Sequence, residues 1–361
     1  MIMGISPIGH DCAVSMIDGS EIVFAAHSER YSRKKNDGFL NQDIIDEAMS
    51  YGPVNQVVYC EQPWLKKTRQ LYSGQYQDMK FNIRKYLKNY NIPLENLKFM
   101  RHHKAHALSG YYTSPFAEAC VVCIDAIGEW DTVTIWKASG KEIELIESIK
   151  YPHSLGLLYS AFTQLCGLKP NEDEYIMMGM AAFGSPKYKH LIIRDLLDLE
   201  KSILHLKVNV HRGLGSYLED AKKENVAASV QELTENVIRN IMKYAKEKTG
   251  SRNLVYSGGV ALNCVANSKI ADLFNNIWIM PNPGDAGTCL GVSSFLAWTT
   301  PFLGHNIDRP YPIDNLLKEL LKGNIVGVAN GRAEFGPRAL GNRSLLADPR
   351  IPNIKDRVNE I

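Results

Sequence analysis

The sequence predicts an α/β fold built from two similar lobes, each a mixed sheet flanked by helices. Three observations predict it. A strand and hairpin opening occurs twice, first over Met3-Gly4-Ile5, Cys12 to Ile17 and Glu21 to Ala26, then over Val121 to Asp125 and Thr132 to Trp136. One long amphipathic pattern, 226–250, runs directly into two consecutive strand–loop–helix units. The 361 residues, 45% hydrophobic and 22% charged, suffice for two or three domains with a sizeable core.

In the first lobe, the loop Pro7-Ile8-Gly9-His10-Asp11 separates the opening strand from its hairpin, and Asp18-Gly19 supplies the hairpin turn. His102-His103-Lys104-Ala105-His106 follows, with His102 and His106 four residues apart, so that both imidazoles share a face if the segment is helical. The second lobe opens with Val121-Val122-Cys123-Ile124-Asp125, bends at Ala126-Ile127-Gly128-Glu129, and returns through Thr132 to Trp136. Two lobes that each begin with a hairpin carrying acidic and glycine residues at its bend have the layout of actin-like ATP-binding proteins, whose hairpins grip phosphate and metal.

The helical pattern over 226–250 places Val226, Val230, Leu233, Val237, Ile241 and Tyr244 on one stripe, and a lysine-rich last turn before Gly250 suits the helix dipole. Asn253 to Ser257 is then a strand, Gly258-Gly259 permits close backbone approach, and Val260 to Asn267 resumes as a helix with Asn263 and Asn267 on one face. Such a unit suits a phosphate or ribose, although a tight turn without a ligand fits the same residues. Ile277 to Met280 is the next strand, Pro281 to Gly287 a loop, and Thr288 to Trp298 a helix. Asp285 therefore falls where ligands meet open α/β sheets.

Pro301, Pro310 and Pro312 mark a linker over 301–312, after which a helix at Leu316 to Leu321 and a buried-type strand at Asn324 to Ala329 begin a further domain. The stretch Gly331 to Ser344 holds Arg332, Arg338 and Arg343 among glycines, with Phe335, Leu340 and Leu345 expected to bury its flanks. Guanidinium forks and accessible backbone amides make this an anion-site candidate.

Composition excludes several classes. With 41 basic against 39 acidic residues the net charge is +2, so no global field recruits nucleic acid or an anionic membrane, and neither is an expected partner. Met1 to Pro7 has no basic leader and no run approaches the roughly eighteen apolar residues of a membrane span, so a cytoplasmic protein is expected. Seven cysteines without framework spacing read as reduced thiols, and Cys120 and Cys123, inside an apolar run, read as strand packing rather than a redox or zinc pair.

His102, His106, Asp125 and Asp285 together could close one divalent-metal site, since both aspartates end apolar runs suited to buried strands. A solvated basic patch over His102 to Lys104 fits the spacing equally well. A zinc protease does not, because His103 stands where that motif needs a glutamate.

Gly9-His10-Asp11, Ser28 to Lys35, His102 to Ala107, Ser154 to Ser160, Lys169-Pro170-Asn171-Glu172, Ser257 to Asn263, Asn282 to Gly287 and Glu334 to Arg343 run from end to end of the chain. In these pieces it resembles the O-carbamoyltransferases of the NodU, CmcH and TobZ type. The resemblance implies a duplicated actin-like (ASKHA) domain over 1–300, with lobes of about 1–115 and 116–300. The same resemblance implies that 313–361 begins an α+β YrdC-like domain. It further implies that carbamoyl phosphate and ATP are co-substrates, that the second domain makes carbamoyl adenylate from them, and that the first passes the carbamoyl group to a hydroxyl of a small-molecule acceptor. His102, His106, Asp125 and Asp285 then match ligands of a divalent metal, iron by resemblance. His10 and Lys35 match the transfer site; Gly258, Gly259, Asn263 and Asn267 match a nucleotide segment; and Arg332, Arg338 and Arg343 match the opening of the second domain.

Where members of that family commonly carry a lysine this chain has Glu174-Tyr175-Ile176, so one basic contact is either missing or supplied by Lys169. Too few residues follow the linker to form the second domain's core. The chain is thus expected to be cut short or naturally short, to transfer from supplied carbamoyl adenylate while making it poorly, and to form a homodimer or rely on a partner that completes the domain. Two other readings use the same residues: an actin-like small-molecule kinase, and a non-catalytic nucleotide-binding module.

Overall fold

Two five-stranded sheets of the same topology form the body of the chain in the computed structural model, which describes residues 1–361 apart from Leu199, Lys201 and Phe295. The first contains β1 (Ile2–Ile5), β2 (Ala13–Asp18), β3 (Glu21–His27), β4 (Gln56–Tyr59) and β5 (Leu97–Phe99), in the order β3-β2-β1-β4-β5. The second contains β6 (Glu118–Gly128), β7 (Asp131–Ser139), β8 (Glu142–Lys150), β9 (Asn253–Ser257) and β10 (Asn276–Ile279), in the order β8-β7-β6-β9-β10. In both, the first three strands meander antiparallel and the last two join parallel to the first. The duplication expected from the repeated hairpins is thus present strand for strand.

The helix Lys223–Thr249 lays Val226, Val230, Leu233, Val237 and Ile241 into one core with Val122, Ile124, Leu254 and Tyr256. Each such side chain contributes about 1.5–3 kcal/mol by leaving water. Gly250 stops the helix at φ +67°, and its N–H returns to the Lys246 carbonyl.

The helix His102–Thr113 lies inside the molecule and buries every residue except Lys104. Its small residues make that close packing feasible: a Cβ at Gly110 would stand 2.8 Å from Val255 Cγ1. Ala107, Leu108 and Tyr111 share a core with Ala13 and Ile17 of the first lobe and with Val121, Cys123 and Val255 of the second, so this helix joins the two sheets.

Several elements depart from expectation. Asn263 interrupts the helix expected over Val260 to Asn267: a 3-10 turn covers Gly259–Leu262, and a short helix, Cys264–Ser268, starts with Asn263 as its cap. Only a 3-10 turn, Asp285–Leu290, forms in the helix expected over Thr288 to Trp298, of which Phe295 lies outside the described residues. Close packing ends it, since a Cβ at Gly291 would stand 2.3 Å from the Ala105 carbonyl oxygen. The segment read as a linker carries β11 (Phe302–Ile307). β12 (Val326–Ala329) buries only Val328, so it is not the buried strand expected. β11 pairs with β13 (Gly331–Glu334), and β12 with β14 (Arg343–Leu346). Phe335 is buried as expected, but Leu340 and Leu345 are exposed. The helix Ile313–Leu321 buries none of its residues. Among the described residues no helix is long and apolar enough to cross a membrane. All seven cysteines are free, and Cys120 and Cys123 are buried strand residues.

Candidate metal centre

β6 pairs regularly with β7 up to Ile124, and its register breaks between Ile124 and Gly128. Asp125 stands at that break. Ser154 holds the broken segment by donating to the Ala126 carbonyl at 2.6 Å, and Gly156 lets the next helix sit against Ala126. β9 ends beside it at Gly258, where φ is +91° and a Cβ would lie 2.2 Å from the Ile124 oxygen, so glycine is required on both counts. The Gly259 N–H then donates to Asp125 Oδ1 at 2.9 Å. Asp285 arrives on the loop after β10, whose Pro283 carbonyl accepts from the Gly258 N–H.

The two histidines enter from the first two turns of the buried helix. His102 Nε2 lies 3.0 Å from His106 Nε2, 3.3 Å from Asp125 Oδ2 and 3.4 Å from Asp285 Oδ1, and His106 Nε2 lies 3.4 Å from Asp285 Oδ1. One donor atom from each of the four residues falls within 4.8 Å of all the others. The basic-patch alternative is excluded, because His102 and His103 are each 1% exposed.

The electrostatics of the cluster are strongly coupled. Burial opposes charge on every member, yet Asp285 and Asp125 hold the His102 imidazolium well above its ordinary range, and the histidines hold both aspartates far below theirs. Burial likewise opposes charging His106, but the two acids raise it. The four groups therefore demand positive charge, which protons or a cation can supply. His103 points its Nδ1 at Thr134 Oγ1, 3.0 Å away, and burial followed by its charged neighbours pushes it down to about 3.

Three further features support the cluster. Glu129, buried and at φ +45°, accepts the backbone N–H of His102 at 3.1 Å and that of Gln62 at 2.6 Å, anchoring the start of the histidine helix. Gly128 leaves space for the His102 ring. His27 donates from Nδ1 to Asp11 Oδ1 at 2.8 Å and accepts the Asn282 amide at Nε2 at 2.9 Å, tying the first hairpin to the Asp285 loop. Only Gly9-His10-Asp11 and Asn282 to Asp285 carried a sequence signal for this link; nothing marked His27.

His10 and Lys35 are exposed and meet the second lobe in one segment. His10 Nε2 donates to the Asn171 carbonyl at 2.9 Å, and the Lys35 ammonium stands 5.2 Å from the Tyr175 ring centroid. The first contact fixes the His10 proton on Nε2 when the ring is neutral, which leaves Nδ1 able to accept.

Asn263 engages Gln231 through both amide atoms besides capping its helix, and Asn267 donates to the Ala261 carbonyl while its Oδ1 stays buried without a partner. Arg332 donates to the carbonyls of Val23 and Leu303, and Arg343 to those of Asn342, Asn330 and His305. These two arginines therefore bind backbone, whereas Arg338 is exposed. Buried Glu334 accepts the amides of Leu340, Asn342 and Arg343. The structure brings the four metal candidates together and places the arginines elsewhere, on the β11–β14 segment.

Residues 64–293 match the family described as carbamoyltransferase N-terminus, and residues 317–361 match carbamoyltransferase C-terminus. The chain is 32% identical to an uncharacterised protein of Synechocystis sp., over 99% of this chain and 72% of that one. It is 27% identical to nodulation protein NolNO of Sinorhizobium fredii, over 98% of this chain and 60% of that one. To the 3'-hydroxymethylcephem-O-carbamoyltransferase of Streptomyces clavuligerus it is also 27% identical, over 98% and 74%. A relative from Methanocaldococcus jannaschii is covered over 53% of its length, so the chain spans between about half and three quarters of these relatives.

Proposed function

The chain belongs to the carbamoyltransferase family, and on that premise we propose that it transfers a carbamoyl group to a hydroxyl of a small-molecule acceptor at the His102–His106–Asp125–Asp285 centre. The observation that carries this reading is the convergence of two imidazole nitrogens and two carboxylate oxygens from distant segments on one point. Two neutral nitrogens and two anionic oxygens fit a divalent first-row cation, and iron is the cation proposed. When bound, it would supply a positive charge next to the phosphate of the carbamoyl donor.

The proposed donor is carbamoyl adenylate, formed from carbamoyl phosphate and ATP in a YrdC-like domain that 313–361 begins. The proposed transfer unit is the actin-like pair of lobes over 1–300. The acceptor oxygen attacks the carbamoyl carbon, the mixed anhydride bond to phosphate breaks, and AMP leaves with the electron pair. His10 Nδ1 takes the acceptor proton, because Nε2 is committed to the Asn171 carbonyl. Lys35 places its charge in the same inter-lobe region, beside Tyr175, where it can stabilise the developing oxyanion or the leaving phosphate. The loop at Gly258 and Gly259 presents backbone toward Asp125 and is the proposed neighbour of the adenylate, with the unpartnered Asn267 Oδ1 as a further acceptor.

Metal analysis of the purified chain beside His102→Ala and Asp285→Asn tests the centre. One cation per chain, lost in both variants, is expected. Carbamoyl adenylate supplied with hydroxyl acceptors should then yield AMP and a carbamate ester in the parent only. Retention of metal by both variants would remove the basis of this assignment.

A further inference from the structure

A second cluster of unmet polar atoms bridges the lobes at Arg69, Gln75 and His211. Arg69, on the helix Pro63–Ser73, is 7% exposed, and its Nε is buried without a partner. Among the described residues its side chain makes one hydrogen bond, from a terminal nitrogen to Gln75 Oε1 at 3.5 Å. Of the acids in electrostatic reach, Glu61 pairs with Lys66 at 2.9 Å, Glu129 accepts backbone N–H groups, and Asp78 lies on the exposed rim of the neighbouring turn with no ion pair to Arg69. Among the described residues no carboxylate bonds this guanidinium.

Across the lobe boundary, Gln75 donates its amide to His211 Nε2 at 3.2 Å, an orientation supported by the Ser73 hydroxyl donating to Gln75 Oε1 at 3.0 Å. The His211 proton therefore sits on Nδ1, which is also buried without a partner. Burial, followed by Arg69 and Arg212, lowers the His211 pKa. Tyr151 packs edge-on at 5.8 Å from the His211 ring, and its hydroxyl accepts from Asn209, which leaves the phenolic proton to donate. Beside Gln75 opens a recess of about 370 Å³ lined by Gly74 to Asp78.

A buried guanidinium and imidazole N–H left unmet cost free energy that an incoming acceptor of hydrogen bonds would recover. Arginine matches oxyanions in a planar, two-pronged way that water does not reproduce. We infer that this inter-lobe cluster is an anion subsite, taking a carboxylate, sulfate or phosphate group carried by the hydroxyl acceptor. The inference rests on the proposed transfer reaction and names the class of its acceptor. Glu129, which holds the His102 backbone, also acts on Arg69 electrostatically.

The test titrates the full chain with acetate, sulfate and phosphate at constant ionic strength set by chloride, reading heat and melting temperature. Arg69→Met, which keeps the apolar stem, and His211→Phe, which keeps the ring beside Tyr151, are measured alongside. One of the three anions should saturate a single site where chloride does not, and each variant should weaken it at least tenfold. Without anion, Arg69→Met should melt at or above the parent, because a buried unpaired charge is gone. Three anions indistinguishable from chloride would overturn the inference, as would undiminished binding in both variants. An Arg69→Met protein melting well below the parent would mark the arginine as a structural strut, again against the subsite. No metal, nucleotide or turnover enters this measurement. Anion binding without carbamoyl transfer would thus sink the proposed reaction alone, and transfer without an anion site would sink the subsite alone.

Discussion

Gly128→Ala isolates the placement of His102 from the identity of the ligands. A methyl group at 128 would stand 2.1 Å from His102 Cδ2, 2.7 Å from Cγ and 2.9 Å from Cβ. Carbon contacts are ordinary from about 3.5 Å outward, so the imidazole must retreat by roughly 1.4 Å. Metal–ligand distances tolerate about 0.2 Å, several times less than this displacement. The φ of Gly128 is outside the left-handed region, so alanine is acceptable to the backbone and the effect is steric. Overpacking should lower stability by about 1–3 kcal/mol, leaving a folded protein. Cation affinity should fall on the order of a hundredfold, a loss comparable to removing a supporting interaction around a metal. Gly179→Ala is the control, since nothing lies within 4 Å of its added methyl. Calorimetric titration with a divalent cation, beside melting curves, reads both quantities. Gly128→Ala binding the cation as tightly as Gly179→Ala would refute the steric argument and the His102 geometry with it.

Protons and the proposed cation would compete for the same four groups, which fixes the sign of the expected pH dependence. His102 and His106 have raised folded pKa values, so their contribution to metal-free stability is present below about 6.5 and lost as pH rises through the folded values. Asp125 and Asp285 are depressed, so theirs is present above about 3.8 and lost only as pH falls through their lowered values. The rise in melting temperature on adding a divalent cation should therefore grow between about pH 5 and pH 8; a constant increment would contradict proton competition. Glu129→Ala removes the carboxylate that accepts the His102 and Gln62 amides and should cost about 1–3 kcal/mol, read by chemical denaturation, with weakened cation binding. Unchanged stability would show that other groups anchor the helix start. Gly258→Ala meets both a φ of +91° and the Ile124 oxygen at 2.2 Å. It should destabilise the protein by more than about 1 kcal/mol in the same assay, and a neutral result would show that the β9 turn rearranges without penalty.

The repeated hairpins were legible because period-two apolar runs and Asp-Gly turns act locally, and the long helix because its stripe persists over many turns. Asp125 and Asp285 were legible for a related reason: each follows a strand whose apolar run stops abruptly. Other features depend on three-dimensional packing. Thr288 to Trp298 carries enough apolar residues for a helix, but Gly291 is pressed against Ala105, and the helical pattern cannot register that contact. Asn263 and Asn267 would share a helical face only if the helix ran through Asn263, and its side chain instead starts a new one. Arg332 and Arg343 were read by chemistry alone, and the carbonyls that occupy them come from residues as remote as Val23. His27 lacked any local signature, and Glu129 was legible only as the acid at the second hairpin's bend, since their partners lie across the lobe boundary or at the start of a different element.

The duplicated topology explains why the centre lies between lobes. In each sheet the parallel strands point their carboxyl ends the same way; β4, β9 and β10 run into Cys60–Gln62, Gly258 and the Asp285 loop respectively, and Asp125 stands at the register break near the end of β6. Such ends collect ligands because the chain leaves the ladder there with backbone groups unpaired. The histidine helix supplies what the strands cannot, two nitrogens on one face, and it is fixed by packing on both sheets at once. The first lobe thus contributes the imidazoles and the second contributes the carboxylates. Any shift between lobes that opened the Asp11–His27–Asn282 connection would move Asp285 relative to His102 and His106. Cation binding should consequently stiffen this connection, and His27→Ala, though distant from the ligand set in sequence, should weaken the cation without altering any ligand. Cation affinity in His27→Ala equal to the parent's would separate the hairpin from the centre.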